Sequence, residues 1–211
     1  MIKPGLDAAY GLQTPEDNLR LYRDWAETYD SGFASDHGYV LPLRVAEGFA
    51  AAAAGGTGPV LDLGAGTGLC GEALRRLGVT PIDATDLSAE MLAVARRKAV
   101  YRDLFIGDML DRLPVADGTY AGAVSSGTFT HGHVGPEALN EVVRVLRPGG
   151  LACLSVNAAH YAARGFDVAL EALIGQIDAL RLTEVNIYAK DHSSAGTHSA
   201  DTALIVVFRR V

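Results

Sequence analysis

The sequence predicts an α/β fold: a mostly parallel sheet with helices on both faces, finishing in an antiparallel hairpin. Three observations carry that prediction. Short apolar runs alternate with stretches of helical period from residue 41 to residue 156, as strand–helix–strand units require. The run Val60-Leu-Asp-Leu63 passes through a glycine-rich turn straight into one such helical stretch. Beyond residue 181, two alternating or apolar runs are joined only by a polar loop, which suits a hairpin and not a crossover.

A chain of 211 residues can bury the core of one α/β domain and leaves little room for a second. Residues 1–211 therefore read as one domain, with 1–55 as an N-terminal helical extension. The net charge of −7 disfavours a phosphate-dominated nucleic-acid interface and favours a small, neutral-to-cationic partner. Cys70 and Cys153 lie far apart, without metal-ligand spacing, and read as buried small hydrophobes in a reducing compartment. No signal-peptide run follows Met1, and no stretch has the length and apolarity of a membrane span. The expected location is cytoplasmic, away from membranes; oligomeric state is not readable.

In chain order, residues 1–13 read as a loose arm. Thr14-Pro-Glu-Asp17 combines a cap, a proline at the first helical position and an acidic first turn. Leu19, Tyr22, Trp25 or Ala26, and Tyr29 then share one helical face, a stripe that core packing alone would explain. Residues 31–40 read as a loop with a solvated His37, and 41–54 as a helix stopped by Gly55-Gly56.

Val60, Leu61 and Leu63 suit a strand covered on both faces. Gly64, Gly66 and Gly68 then let the backbone turn sharply and let a ligand approach it. The following helix has Leu69, Ala73, Leu74 and Leu77 on one stripe, with Gly78 to stop it. Strand, turn and helix N-terminus together form a nucleotide-type pocket. The dinucleotide spacing fails, because the third glycine position falls on Leu69, and Gly71 serves no such register. Asp62 faces the pocket, where a carboxylate would repel a pyrophosphate and suit a cationic amino group. A nucleoside with a positive amino-acid tail fits, and S-adenosylmethionine is such a molecule.

A second strand over 80–85 ends in Asp86, about twenty residues past the glycines, where a carboxylate can accept both ribose hydroxyls. Ser88 caps a helix with Met91, Leu92 and Ala95 inward. A third strand over 100–106 runs into Gly107-Asp-Met109, and a fourth covers 120–126. Gly135-Pro136 opens a helix with Leu139, Val142, Val143 and Leu146 inward, stopped by Pro148-Gly-Gly. A fifth strand over 151–156 holds Cys153, a helix spans 167–180, and strands over 182–190 and 202–209 close the chain.

Asp62-Leu-Gly-Ala-Gly-Thr-Gly68, Ala84-Thr-Asp-Leu-Ser88, Gly107-Asp-Met109 and Leu146-Arg-Pro-Gly-Gly150 resemble, in order and spacing, the motifs of class I S-adenosylmethionine-dependent methyltransferases. The resemblance covers about residues 19–211. Tyr22-Arg-Asp-Trp-Ala-Glu-Thr-Tyr-Asp30 is similar to the lead-in helix of the Williams–Beuren-region methyltransferase-like group. It implies a Rossmann-like seven-stranded sheet and S-adenosylmethionine or S-adenosylhomocysteine bound along Asp62, Gly64, Ala65, Gly66 and Gly68. It further implies Asp86 on the ribose, Asp108 on the adenine amino group, and Leu87, Met91, Gly107 and Met109 about the base. The N-terminal helix would form a lid, with Tyr22, Trp25 and Tyr29 over the methionine end.

In that fold the carboxyl end of the fourth strand faces the methyl group, which places Ser125, Ser126, Thr130 and His131 at the site, with Thr128 and His133 beside them. The family often carries an acid where this chain has Ala121, and the Asn-Pro-Pro-Tyr-like segment of adenine-amino methyltransferases is missing. No acid cluster marks a divalent-metal mechanism there. His131 is the candidate base; a loop histidine held by a backbone carbonyl is the competing explanation. The expected activity is methyl transfer to a small-molecule acceptor. The rivals are a non-catalytic S-adenosylmethionine-binding protein and a nicotinamide-dependent oxidoreductase, the latter opposed by Asp62, the glycine register and the terminal hairpin.

Overall fold

The computed structural model describes residues 15–53, 58–131, 133–189 and 200–211, with side chains of the first helix from residue 20 onward. The N-terminal arm, the Thr14 cap, Gly55-Gly56 and the polar loop before the last strand lie outside the described residues. Seven strands form one sheet: β1 (Val60–Leu63), β2 (Ile82–Asp86), β3 (Asp103–Ile106), β4 (Tyr120–Phe129), β5 (Leu146–Asn157), β6 (Ile177–Asn186) and β7 (Thr202–Arg210). Their order is β3-β2-β1-β4-β5-β7-β6. Strands β1 to β5 pair in parallel, and β7 runs antiparallel to both β5 and β6. The sheet order reverses between β1 and β4, and a crevice opens at such a switch point beyond the carboxyl ends of the strands.

The helices are α1 (Pro15–Trp25), α2 (Leu41–Ala53), α3 (Leu69–Arg76), α4 (Ala89–Arg97), α5 (Leu139–Val145), α6 (Ala158–Arg164) and α7 (Phe166–Ala172). Side-chain alternation along β1 splits the core in two. Leu61 and Leu63 join Phe129, Phe166 and Phe208 on one face of the sheet. Val60 joins Phe49, Cys153, Trp25, Phe33 and Tyr188 on the other. Asp62 shares the Val60 side of the strand, so its carboxylate faces the N-terminal aromatic cluster.

Four expectations need correction. The first helix does not carry its stripe through Tyr29. It ends at Trp25, where Thr28 N–H donates to the Trp25 carbonyl at 3.0 Å, and a π-helical turn follows at Tyr29–Ala34. That turn brings Trp25 edge-on to Tyr29 and Phe33, with the three ring centroids 5.0–5.1 Å apart, and it occupies part of the stretch read as a loop. Leu146 does not belong to the preceding helix but opens β5 opposite Tyr120; the next pair is Gly122 with Leu151. Arg147-Pro-Gly-Gly150 is therefore a bulge in a strand, with Gly149 at φ 75°. The helix expected over 167–180 ends at Ala172, because Gly175 at φ 95° turns the chain into β6 at Ile177. Finally, β3 starts only at Asp103, which leaves Tyr101 free to reach back toward β1.

Candidate active site

A cavity of about 200 Å³ opens beyond the carboxyl ends of β1 and β2. Its floor is the glycine turn. Gly64 and Ala65 donate their N–H groups to the Thr85 carbonyl at 2.9 and 3.0 Å, which ties the turn to β2. Gly64, Gly66 and Gly68 take φ of 66°, 55° and 90°, a region that costs any other residue steric strain. A Cβ on Gly66 would meet no protein atom within 4 Å, so this backbone is left open to a ligand. Gly68 instead lies behind the turn, against the Tyr101 ring.

Of the three aspartates that line the cavity, two stand on β1 and β2. Asp86 Oδ2 accepts from Gly66 N–H at 2.8 Å and Oδ1 from Ser88 N–H at 2.9 Å, so Asp86 braces the turn as well as lining the pocket. Burial holds its carboxyl above the ordinary range. Asp62 is fully buried, and Tyr101 donates its hydroxyl to Oδ2 at 2.7 Å. Among the described residues, Asp62 Oδ1 has no hydrogen-bond partner. Burial raises the Asp62 carboxyl from 3.8 to about 7 against the opposing pull of the Tyr101 hydrogen bond. A buried carboxylate oxygen left unpaired is costly unless a ligand supplies a donor or a positive charge.

Leu87, Met91, Gly107, Asp108 and Met109 form the side of the cavity beyond β2 and β3. Met91 and Met109 are buried, whereas Leu87 stands at the rim. Asp108 Oδ1 accepts from Leu110 N–H at 2.8 Å, the local turn bond of an aspartate. Its carboxylate nonetheless lines the cavity.

The opposite side is aromatic. Tyr22 and Tyr29 line the cavity with ring centroids 6.1 Å apart, and the His133 ring meets Tyr22 edge-on at 5.4 Å. Trp25 does not line it; the ring is buried against Tyr29 and Phe33 and supports them. Ser126 is in the wall. Ser125 is not, because strand alternation buries it with its hydroxyl donating to the Leu63 carbonyl at 2.7 Å.

Behind this wall lies a second cavity of about 70 Å³. Tyr22, Tyr29, Tyr39, Gly127 and His133 border both spaces. Thr130 and His131 border only the second. His131 Nδ1 is buried without a hydrogen-bond partner among the described residues, and its ring lies 5.2 Å from that of His160. His160 itself is fixed, with Nε2 3.0 Å from the Val134 carbonyl. Burial, with His160 nearby, depresses His133 to about 4, so its imidazole is neutral at pH 7.

Tyr39, Thr67, Tyr101 and Gly127 enter the site without having been foreseen. Tyr39 reaches it through an isolated bridge to Tyr188, a long-range pairing with no local pattern. Tyr101 did leave a trace in the sequence: Gly71, which no nucleotide register explained, is where a Cβ would overlap the Tyr101 phenol.

Residues 60–150 match the family model described as a methyltransferase domain. The chain is 27% identical over 186 residues to human methyltransferase-like protein 27, covering 87% of this chain and 75% of that protein. It is 39% identical over 92 residues to a malonyl-[acyl-carrier protein] O-methyltransferase from Pectobacterium atrosepticum, covering 44% of this chain and 36% of that one. These matches, with the fold, support a class I S-adenosylmethionine-dependent methyltransferase. A TehB-like methyltransferase structure from Corynebacterium glutamicum shares the methyltransferase fold with a TM-score of 0.62, at 20% identity, covering 90% of this chain and 98% of that one. The methyltransferase's own residues fit its cofactor. An open glycine turn, an unpaired buried carboxylate oxygen and a second acid about twenty residues on are what a cationic amino-acid nucleoside needs.

Proposed function

We propose that this methyltransferase acts on a small, uncharged acceptor held in the second cavity. One observation carries the reading: the described residues lining that cavity include no Asp, Glu, Lys or Arg, and five of them also border the first cavity. An acceptor with a formal charge would lose its hydration there without a counter-charge. Aromatic rings from Tyr22, Tyr29, Phe33, Tyr39 and Tyr188 favour a flat, partly apolar molecule.

In this reading Asp62 holds the cofactor's ammonium, Asp86 the ribose hydroxyls and Asp108 the adenine amino group. Leu87 and Met109 enclose the base, and Tyr22 and Tyr29 cover the methionine end. When bound, the cofactor supplies an activated methyl group and a neutral thioether leaving group. What remains for the chain is mainly alignment. Holding two reactants in line can contribute roughly 7–11 kcal/mol, whereas a general base adds about 10²–10⁴-fold. The wall of Tyr39, Gly127 and His133 between the cavities is the aligning element. His131 serves as the base through Nδ1 when the acceptor must lose a proton. The described part of the N-terminal extension ahead of α2, residues 15–34, acts as the lid of one catalytic unit, and a cytoplasmic location goes with this reading; among the described residues no helix is long and apolar enough to cross a membrane.

The test is a screen of neutral and charged small acceptors with methyl-labelled cofactor, run beside calorimetry with S-adenosylhomocysteine. Turnover confined to neutral acceptors supports the proposal. Turnover only on a protein or RNA overturns the small-molecule class, and cofactor binding with no turnover on any acceptor favours a sensor or partner subunit. With an acceptor in hand, His131→Asn loses the rising acid limb of the rate profile if His131 is the base; an unaltered profile removes it from that role.

A further inference from the structure

Beside the first cavity, a cluster of charges joins the aromatic turn to the glycine turn. Asp30 follows Tyr29 in the π-helical turn. Thr67, between Gly66 and Gly68, donates its hydroxyl to Asp30 Oδ1 at 2.5 Å. Lys98, just past the end of α4, places Nζ 2.6 Å from Asp30 Oδ2 and 2.7 Å from Glu72 Oε2 of α3. These are not solvated surface pairs: the Thr67 residue is 2% exposed and the Lys98 side chain 14%. The neighbouring Arg97–Glu27 pair is largely exposed and adds little.

We infer that Asp30 is a positioning residue for cofactor binding, locking the Tyr29 wall onto the glycine turn through Thr67 and Lys98. The inference rests on the first cavity being the cofactor site. The glycine turn needs such a lock. Three of its residues lack a side chain, and Asp86 fixes it only from the β2 side, through Gly66. Thr67 is the one residue of the turn whose side chain can anchor it from the N-terminal side, and Asp30 is the acceptor it uses. Because Tyr29 is the preceding residue, one carboxylate sets both the floor and the aromatic wall of the cavity. Lys98 holds Asp30 in place, since a charge-assisted bond is shorter and stronger than a neutral one.

The readout is built into the chain. Trp25 is its only tryptophan and packs on Tyr29 and Phe33, so its emission reports the position of the turn. Asp30→Asn and Thr67→Val are titrated with S-adenosylhomocysteine by calorimetry and by Trp25 emission, with thermal unfolding alongside. Each variant is expected to weaken binding about tenfold, and the double variant little further, because both break one link. Thr67→Ser, which keeps the hydroxyl, restores wild-type affinity and emission. Should Asp30→Asn not fold, the Thr67→Val and Thr67→Ser pair carries the same test. Variants that melt lower yet bind within roughly twofold of wild type, with an unchanged emission response, would make Asp30 structural and overturn the inference. A wild-type protein that does not bind S-adenosylhomocysteine overturns the assignment of the cavity and this inference with it.

Discussion

The Tyr101 hydroxyl reaches Asp62 Oδ2 at 2.7 Å by passing over Gly71, the third residue of α3. A Cβ on Gly71 would overlap both the Tyr101 Cζ and its hydroxyl oxygen, so the helix carries a glycine where it would otherwise gain from alanine. The missing side chain is what lets a phenol from the entry to β3 support a carboxylate on β1.

Gly71→Ala should therefore destabilise the protein. Alanine favours the helix by about 1 kcal/mol, but forcing a methyl group into the Tyr101 ring costs about 1–3 kcal/mol and pushes the phenol off Asp62. The expected outcome is a lower Tm together with weaker S-adenosylhomocysteine binding. Tyr101→Ala in the same chain should recover the Tm and not the affinity, since it removes the clash and the hydrogen bond together. Thermal unfolding and calorimetry on wild type and the two variants check this.

Cofactor binding should depend on pH through Asp62. Its carboxyl is raised to about 7, so it is mostly protonated at pH 6 and mostly ionised at pH 8. Only the ionised form offers a charge to an ammonium. Affinity for S-adenosylhomocysteine should rise about tenfold between those two pH values, from the ionised fraction alone. Asp62→Asn should bind more weakly and show a nearly flat profile. A wild-type profile as flat as that of Asp62→Asn would mean that Asp62 does not meet the amino group.

The same group makes a signed prediction for stability without ligand. The folded-state value lies above the unfolded one, so the folded protein binds a proton that the unfolded chain has lost between about pH 4 and pH 7. Its contribution is complete below the unfolded value and disappears as pH rises through about 7. Asp86, also raised by burial, acts in the same direction. His133 and the lowered carboxyl of Glu141 act oppositely, so the total curve does not isolate the effect. The difference does: the Tm of wild type minus that of Asp62→Asn should fall from pH 5 to pH 8. The Tm gain on adding S-adenosylhomocysteine should be larger at pH 8 than at pH 5.5.

Local pattern carried the fold well wherever one element followed another. The glycine turn and the Ser88 cap (which accepts from Met91 N–H at 3.1 Å) are where residue type and period place them, and the terminal hairpin forms, with its first strand at Ile177–Asn186 and not over 182–190. Pattern failed where a distant partner decides the geometry. Arg147-Pro-Gly-Gly reads locally as a helix stop, and only pairing with Tyr120 makes it a strand bulge. Ser125 and Ser126 are adjacent, yet strand alternation sends one into the core and one into the cavity. Trp25 and Tyr29 lie on one helical stripe in sequence, but the break after Trp25 leaves the tryptophan to pack and the tyrosine to line the site.

That division of labour on the aromatic side sets the last prediction. Tyr22 and Tyr29 line both cavities, and burial holds each hydroxyl in its protonated, donating form. Tyr22→Phe with Tyr29→Phe removes both hydroxyls and leaves the rings that pack on Trp25 and His133. If the hydroxyls contact the methionine end of the cofactor, two hydrogen bonds of about 0.5–1.5 kcal/mol each are lost, and S-adenosylhomocysteine binds roughly 5–150-fold more weakly. Trp25→Phe should act differently, lowering the Tm through lost packing while the affinity of the folded protein changes little. Unchanged affinity in the double tyrosine variant would leave the turn as a wall of the acceptor cavity only, and would remove it from the cofactor site.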